Sequence, residues 1–160
     1  MNALHQKNSQ RSGETLEIIA FRLNDQEFCV KTTSIREIRG WAAATPIPHA
    51  PADVVGVMNL RGAVIPIIDL ALKLGMKGIA PTERSAIVVA EINGAAMGLV
   101  VDSVSDILTI DAALLQPVPN MNVPGGTGYS DGIIAQHDSM ICFLNLERMF
   151  EQSSEGDLVA

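Results

Sequence analysis

The sequence predicts an all-β protein in which short helices serve only to connect strands. Three observations lead to this prediction: the apolar residues fall into short runs rich in Val and Ile, turn-forming residues separate these runs, and helical signals are few and short. Hydrophobic residues make up 48% of the 160 residues and aromatic residues only 4%, so Val, Ile, Leu and Ala must build the core. With 18% charged residues, this composition is typical of a folded domain rather than a disordered chain.

Roughly ten strands are predicted, at the regular spacing typical of barrels and sandwiches. Asn24–Gln26 and Asn93-Gly94 predict hairpin turns, and Arg61-Gly62 predicts a tight turn between two apolar runs. Gly62 suits a turn position with positive φ, whereas Gly56 inside a strand indicates a bulge or a close backbone approach. The predicted strands are residues 15–23, 27–30, a weak strand near Ile38, 54–60, 63–68, 85–92, 95–101, 104–110, 132–136 and 140–144.

The predicted helices are too short to be stable alone, so each must dock on a sheet. Their signals are capping residues and helix-ending residues rather than long apolar faces. The first predicted helix has a capping-box spacing over Ser34–Glu37, and the second is capped by Asp69 and ends at Gly75. The third is capped by Asp111, covers 112–116 and stops at Pro117, and the fourth is capped by Asn145 and covers 146–150.

The chain length fits one domain or two small interlocked halves. Residues 1–14 are polar and are expected to form a flexible arm, residues 15–150 the folded part, and residues 151–160 a flexible tail. If the strands divide into two barrels, the stretch near 76–84 is the expected crossing point, with the C-terminal segment returning to the first barrel.

Charge and composition exclude several classes of protein. A net charge of −7 argues against nucleic-acid binding and against anionic membrane surfaces. No run approaches the roughly 18 apolar residues of a membrane span, and no secretory signal is present, so we expect a cytoplasmic protein without direct membrane insertion. Cys29 and Cys142 lie in apolar runs far apart in sequence, which favours reduced core thiols over a disulfide or zinc framework.

The histidines and the glycine-rich run form no recognisable catalytic, cofactor or metal site. His5 lies in the polar arm, His49 in a proline-rich loop, and His137 precedes Asp138-Ser139 on a single predicted turn. A catalytic triad instead requires groups that converge on a scaffold. The run 125–128 lacks the flanking strand and helix of a phosphate loop. A small ligand-binding or hydrolytic β-barrel using His137, Asp138 or Asp102 stays open as an alternative.

Three segments in register resemble the CheW family of chemotaxis coupling proteins. They are Pro51–Leu70, which contains Asn-Leu-Arg-Gly at 59–62, Ile35–Gly40, and Gly98–Leu108. The three segments occur in the family's order and spacing, and the resemblance covers about residues 15–150. It implies two intertwined five-stranded SH3-like β-barrels with a hydrophobic groove between them, which agrees with the count of strands.

The resemblance also implies a function without catalysis and without a cofactor. Members of this family are adaptors that couple the cytoplasmic tips of methyl-accepting chemoreceptors to the regulatory domain of the histidine kinase CheA, and they can join rings that include further copies of themselves. The expected location is the cytoplasm, with recruitment to chemoreceptor arrays. A scaffold in another receptor–kinase pathway is a second alternative, because it would use the same barrels.

The family's interaction positions carry over residue by residue. Glu37 and Arg61 match a charged pair, which is expected to pair internally or to compete for partner charges. A helical receptor hairpin would place one apolar face in a groove. Three features depart from the family: Trp41 lies where no aromatic residue is required, His49 stands where the family often has Asn, and the loop 120–130 follows no family pattern. The candidates for receptor or kinase interaction are Ile35, Glu37, Ile38, Gly56, Arg61, Gly62, Ala86, Ile87 and Ile107.

Overall fold

The computed structural model describes residues 13–118, 129–136 and 138–151. These residues form eleven strands in two sheets, with only short helices between them, as the all-β prediction requires. The strands are β1 (Thr15–Leu23), β2 (Gln26–Lys31), β3 (Ile35–Gly40), β4 (Val54–Leu60), β5 (Ala63–Asp69), β6 (Ala86–Ile92), β7 (Ala95–Val101), β8 (Ser103–Asp111), β9 (Leu115–Gln116), β10 (Ser130–Gln136) and β11 (Ser139–Leu144).

The chain divides into two compact units. Within the described residues, the first unit contains 13–20, 27–32 and everything from 106 onward, and the second contains 21–26 and 33–105. The stretch near 76–84, predicted as the crossing point, therefore lies inside the second unit. The reason is that β5 pairs in parallel with β7, so the strands before and after this stretch belong to one sheet.

The six-stranded sheet has the order β8-β1-β2-β11-β10-β9. Its β10–β11 hairpin is antiparallel, whereas β11 pairs in parallel with β2. The sixth strand, which the expected five-stranded barrel does not include, is the two-residue β9 alongside β10. Inward-facing side chains of the first unit form one core cluster of Ile18, Cys29, Ile110, Ile134, Ile141 and Phe143.

The five-stranded sheet has the order β3-β6-β7-β5-β4. Thr45, which follows β3, forms a bridge with Val57 on β4, through two backbone hydrogen bonds of 2.8 and 2.9 Å. The two ends of the strand order are thus joined, and the sheet closes around a second core. This core contains Ile65, Ile67, Ile87, Val89 and Val100.

The helices begin where their capping residues predict. The Asp69 carboxylate accepts a hydrogen bond from Leu72 N at 3.1 Å at the start of α1 (Leu70–Lys73). The Asn145 side chain accepts one from Arg148 N at 2.9 Å at the start of α2 (Leu146–Met149). Asp111 caps a 3-10 turn over Ala112–Leu114, which ends earlier than the predicted helix because the next two residues join the sheet as β9.

One predicted helix is wrong. Ser34–Glu37 has the capping-box spacing, but only Thr32–Ser34 forms a 3-10 turn, and β3 begins at Ile35. Pairing with β6 overrides the local signal, because every residue from Glu37 to Gly40 has a cross-strand partner there. The structure also contains a bulge between Ile35 and Glu37, which changes the spacing that the sequence pattern would have to follow.

Candidate functional site

Strand β3 presents two chemically different faces. Glu37 and Arg39 are the cross-strand partners of Val89 and Ile87, two residues of the second core, so these charged side chains lie on the core-facing side of the strand. Ile38 is the partner of Val88 and lies on the opposite face, where its side chain is 39% exposed. The same strand therefore positions a charged cluster on one side and an exposed apolar residue on the other.

The charged cluster consists of Glu37, Arg39 and Arg61. Glu37 accepts a hydrogen bond from the Arg61 guanidinium and a second from Arg39 Nη1 at 3.2 Å. Since β3 and the β4–β5 hairpin lie at opposite ends of the strand order, the Glu37–Arg61 ion pair spans the line along which the sheet closes. Of the two expectations for these residues, the free chain has the internal pair.

The two partners of the Glu37–Arg61 ion pair differ in exposure to solvent. Arg61 is 73% exposed, whereas the Glu37 side chain is 21% exposed. The hydrogen bond from Arg61 lowers the pKa of Glu37, helped by Arg39 and opposed by partial desolvation. Glu37 is therefore ionised at neutral pH, and the arginine fork retains solvent-facing donors for a further carboxylate.

Arg61 occupies an unusual backbone conformation. Arg61 and Gly62 are the two central residues of the β4–β5 turn, with φ of 53° and 89°, the pattern of a type I′ turn. Asn59 Oδ1 accepts a hydrogen bond from Gly62 N at 2.9 Å. Asn59 was part of the family motif at 59–62 but was not predicted as a site residue. The sequence did contain a signal for this role. Asn59 lies two residues before Arg61, and Arg61 occupies a turn position that asparagine or glycine usually fills.

The same unit has further exposed groups that were not predicted as site residues. Val64, the cross-strand partner of Asn59, is 67% exposed beside the same turn. Arg36 forms an ion pair with Glu91 on β6. The unit that holds the charged cluster therefore also exposes Val64 beside the β4–β5 turn and Ile38 on the opposite face of β3.

Other predicted site residues have supporting positions. Ile87 is 1% exposed and lies in the second core, and Ala86 is also buried, so both side chains pack inside the unit in this structure. They instead support β3, because Ala86 pairs with Gly40 and Ile87 with Arg39.

Gly56 also has a structural role. A Cβ atom at this position would stand 2.3 Å from the Thr45 carbonyl oxygen, next to the bridge that closes the sheet. The sequence-based expectation of a bulge or a close backbone approach at Gly56 is confirmed in both respects, because the β4–β5 register shifts between Val54 and Gly56.

Ile107 lies in the other unit. It lies on β8 in the first unit and its side chain is 56% exposed. The residues of the charged cluster all lie in the second unit.

Of the rival catalytic residues, the described part of the chain contains Asp102 and Asp138. The Asp102 carboxylate accepts a hydrogen bond from Asn24 N at 2.7 Å and fixes the β1–β2 turn. His137, the glycine-rich run 125–128 and most of the loop 120–130 lie outside the described residues. In the part of the chain that the structure describes, no three metal-binding side chains of His, Cys, Asp or Glu come together. None of the helices there has the length and apolar character needed to span a bilayer.

Comparison with known proteins gives a consistent result. A family model described as CheW-like domain matches residues 17–154. A probable chemotaxis protein CheW from Rhizobium etli is 51% identical over 137 residues, covering 86% of this chain and 88% of the relative. The chemotaxis protein CheW of Rhizobium meliloti is 50% identical over 134 residues, covering 84% and 86%. The crystal structure of the scaffolding protein TtCheW from Thermoanaerobacter tengcongensis superimposes with a TM-score of 0.78 at 30% identity, covering 86% of this chain and 94% of that one.

Proposed function

The chain belongs to the CheW family, and on this basis we propose that it is a non-catalytic chemotaxis scaffold that couples chemoreceptor tips to the histidine kinase CheA. Relatives of about 50% identity over most of the chain carry the name chemotaxis protein CheW, and a structural neighbour is called a scaffolding protein. Two protein partners bound at the same time account for the function, and no substrate is turned over.

The observation that carries the proposal is the exposed ion pair between Glu37 and Arg61. A solvent-accessible ionic group at the line where the sheet closes, with Ile38 exposed on the opposite face of β3 and Val64 exposed beside the β4–β5 turn, suits recognition of another protein surface rather than enclosure of a small molecule. The Arg61 guanidinium can bind a partner carboxylate bidentately while Glu37 accepts a partner cation. An amphipathic receptor helix supplies both an apolar face and flanking charges of this kind.

We propose that Ile107 marks a second contact surface on the first unit. A side chain of this size and exposure on an edge strand is an apolar anchor available to a partner. An Ile107→Asp variant should then lose one partner and retain the other. A variant that keeps both partners at unchanged affinity would remove Ile107 from the interface.

The direct test is reconstitution with a receptor cytoplasmic fragment and CheA. We expect the three proteins to co-sediment, and CheA autophosphorylation to respond to the receptor only when this chain is present. Failure to form the ternary complex, or partners drawn from a different receptor–kinase pathway, would overturn the proposal.

A charge exchange within the ion pair tests the site itself. Arg61→Glu and Glu37→Arg singly remove the internal pair, whereas the double variant Glu37→Arg/Arg61→Glu restores it with inverted polarity. If the partners bind to these charges, the double variant should keep its fold but lose its affinity for the receptor fragment and CheA. Arg148→Glu is the matched control, because Arg148 is an exposed arginine paired with Asp131 on the first unit. A double variant that binds like the wild type would reduce the pair to a structural role.

A further inference from the structure

Two hairpins of the five-stranded sheet use the same turn type with different residues. Asn93-Gly94 joins β6 and β7 with φ of 52° and 83°, and Arg61-Gly62 joins β4 and β5 with φ of 53° and 89°. Asparagine is one of the few residues besides glycine that tolerate the left-handed region, because its short side chain can hydrogen-bond locally. Arginine has no such compensation, so the β4–β5 turn requires stabilisation from elsewhere.

Asn59 provides that stabilisation. Its side-chain oxygen accepts a hydrogen bond from Gly62 N at 2.9 Å and so holds the second central residue of the turn. Asn59 is also the cross-strand partner of Val64, which fixes it in the ladder immediately before the turn. In this turn, asparagine is therefore not a central residue. It lies two residues before the first central residue and stabilises the turn through its side chain.

We propose that Asn59 is the positioning residue of the Glu37–Arg61 ion pair. By holding Gly62, it keeps Arg61 in the left-handed conformation from which the guanidinium reaches Glu37 across the closure of the sheet. Without this hydrogen bond the turn populates other conformations, and in these the guanidinium points away from the Glu37 carboxylate. The relevance of this positioning to partner binding rests on the proposed function, but the positioning itself does not.

The charges around Glu37 allow a readout that needs no partner. Arg39 on the same strand and Arg61 from the β4–β5 turn both donate to Glu37, and the Arg36–Glu91 pair lies on β3 and the adjacent strand β6. Only Arg61 is attached to the turn that Asn59 holds. Loss of the Asn59 hydrogen bond should therefore weaken the effect of Arg61 on Glu37 and leave that of Arg39 in place.

The experiment is an NMR titration of the Glu37 carboxyl carbon in the full chain, with amide exchange of Gly62 measured on the same samples. In Asn59→Ala we expect the Glu37 pKa to rise toward its ordinary value and Gly62 amide exchange to accelerate about two- to tenfold, the range for one hydrogen bond. Asn59→Asp retains the acceptor oxygen, so it should restore the slow exchange. Arg61→Ala removes the guanidinium altogether, so it gives the largest rise in the Glu37 pKa that loss of the Arg61 contact can cause.

Asn93→Ala is the matched control for general destabilisation. It disturbs the equivalent turn of the same sheet, so it should lower stability without moving the Glu37 pKa.

If Asn59→Ala leaves the Glu37 pKa at its wild-type value while Arg61→Ala raises it, Asn59 has no positioning role. An equal pKa change in Asn93→Ala would overturn the proposal as well. A shifted pKa in Asn59→Ala together with unchanged partner binding would support the positioning and refute the proposed function of the pair.

Discussion

At the scale of single residues, the interaction role that we propose for Arg61 has to be weighed against the cost of its backbone conformation. A non-glycine residue in the left-handed region carries a backbone cost of about 1–2 kcal/mol, and asparagine tolerates this region better than arginine. The site nevertheless carries arginine with φ of 53°. Strained residues of this kind concentrate at functional sites, where the gain is realised on binding rather than on folding.

We predict that Arg61→Asn stabilises the free protein while weakening partner binding. Relief of the backbone strain should raise the free energy of unfolding by up to about 1 kcal/mol, since exposed ion pairs contribute little. Urea denaturation measures the first effect, and co-sedimentation with receptor fragment and CheA the second. A variant that is both less stable and fully competent in binding would contradict the strain argument.

The second prediction concerns the pH dependence of the Glu37–Arg61 pair. Folding lowers the pKa of Glu37, chiefly through the hydrogen bond from Arg61, so the pair contributes stability above the unfolded-state pKa. That contribution is lost as the pH falls through the lowered folded-state pKa. The difference in unfolding free energy between wild type and Glu37→Gln should therefore be constant near neutrality and vanish in acid.

Repeating the same pH series in an Arg61→Gln background provides the control. Without the guanidinium, the Glu37→Gln substitution should show a smaller pH-dependent difference, leaving only the part due to Arg39. An undiminished difference in that background would mean that Arg61 is not the main cause of the lowered pKa.

At the scale of elements, the closure of the five-stranded sheet depends on a close backbone approach at Gly56. We predict that Gly56→Ala destabilises the protein by about 2–3 kcal/mol, because the added Cβ atom would lie 2.3 Å from the Thr45 carbonyl oxygen and disrupt the Thr45–Val57 bridge. Chemical denaturation measures the loss, and faster amide exchange at Thr45 and Val57 locates it.

Gly40→Ala is the control for this substitution. Gly40 lies on β3 of the same sheet, and an added Cβ atom there would meet nothing within 4 Å. Its stability should stay within about 0.5 kcal/mol of wild type. Similar losses in the two variants would show that general strand propensity, and not the approach to Thr45, determines the effect.

The elements that could be predicted from the sequence are those with local causes. Asn93-Gly94 sets its own turn, and Asp69, Asp111 and Asn145 each satisfy a backbone N–H within three residues. Residues 34–37 were misassigned because the capping-box pattern is also local, whereas the pairing that makes 35–40 a strand comes from β6, far along the chain. Two-residue β9 has no pattern of its own and exists only through pairing with β10.

For the candidate site too, the sequence predicted some features, and others depend on contacts between residues that are distant in sequence. The identities of Glu37 and Arg61 followed from the resemblance to a family, but their contact depends on the sheet closing on itself, which no local pattern encodes. The burial of Ile87 could not be read from its own strand, because every residue of β6 except Glu91 is buried and no alternation separates its two faces. The role of Asn59 required the φ angles of the turn.

At the scale of the whole molecule, the two sheets differ in how far apart their strands lie in sequence. All five strands of the second sheet come from one continuous stretch, Ile35–Val101. The first sheet combines strands from both ends of the chain, and its parallel β2–β11 ladder joins residues more than a hundred positions apart. Closing a loop of that length carries an entropic cost that must be met before the ladder contributes any stability.

We therefore predict that the β6–β7 hairpin is formed in the folding transition state and that the β2–β11 ladder is not. Asn93→Ala, at the hairpin turn, should mainly slow folding, with a φ-value above about 0.5, because this pairing is local. Phe143→Leu, in the first core beside the β2–β11 ladder, should mainly accelerate unfolding, with a φ-value below about 0.3. Stopped-flow chevron plots of both variants measure these values. The opposite order would mean that the distant ladder forms before the local hairpin, and loop-closure entropy would not control the order of folding in this chain.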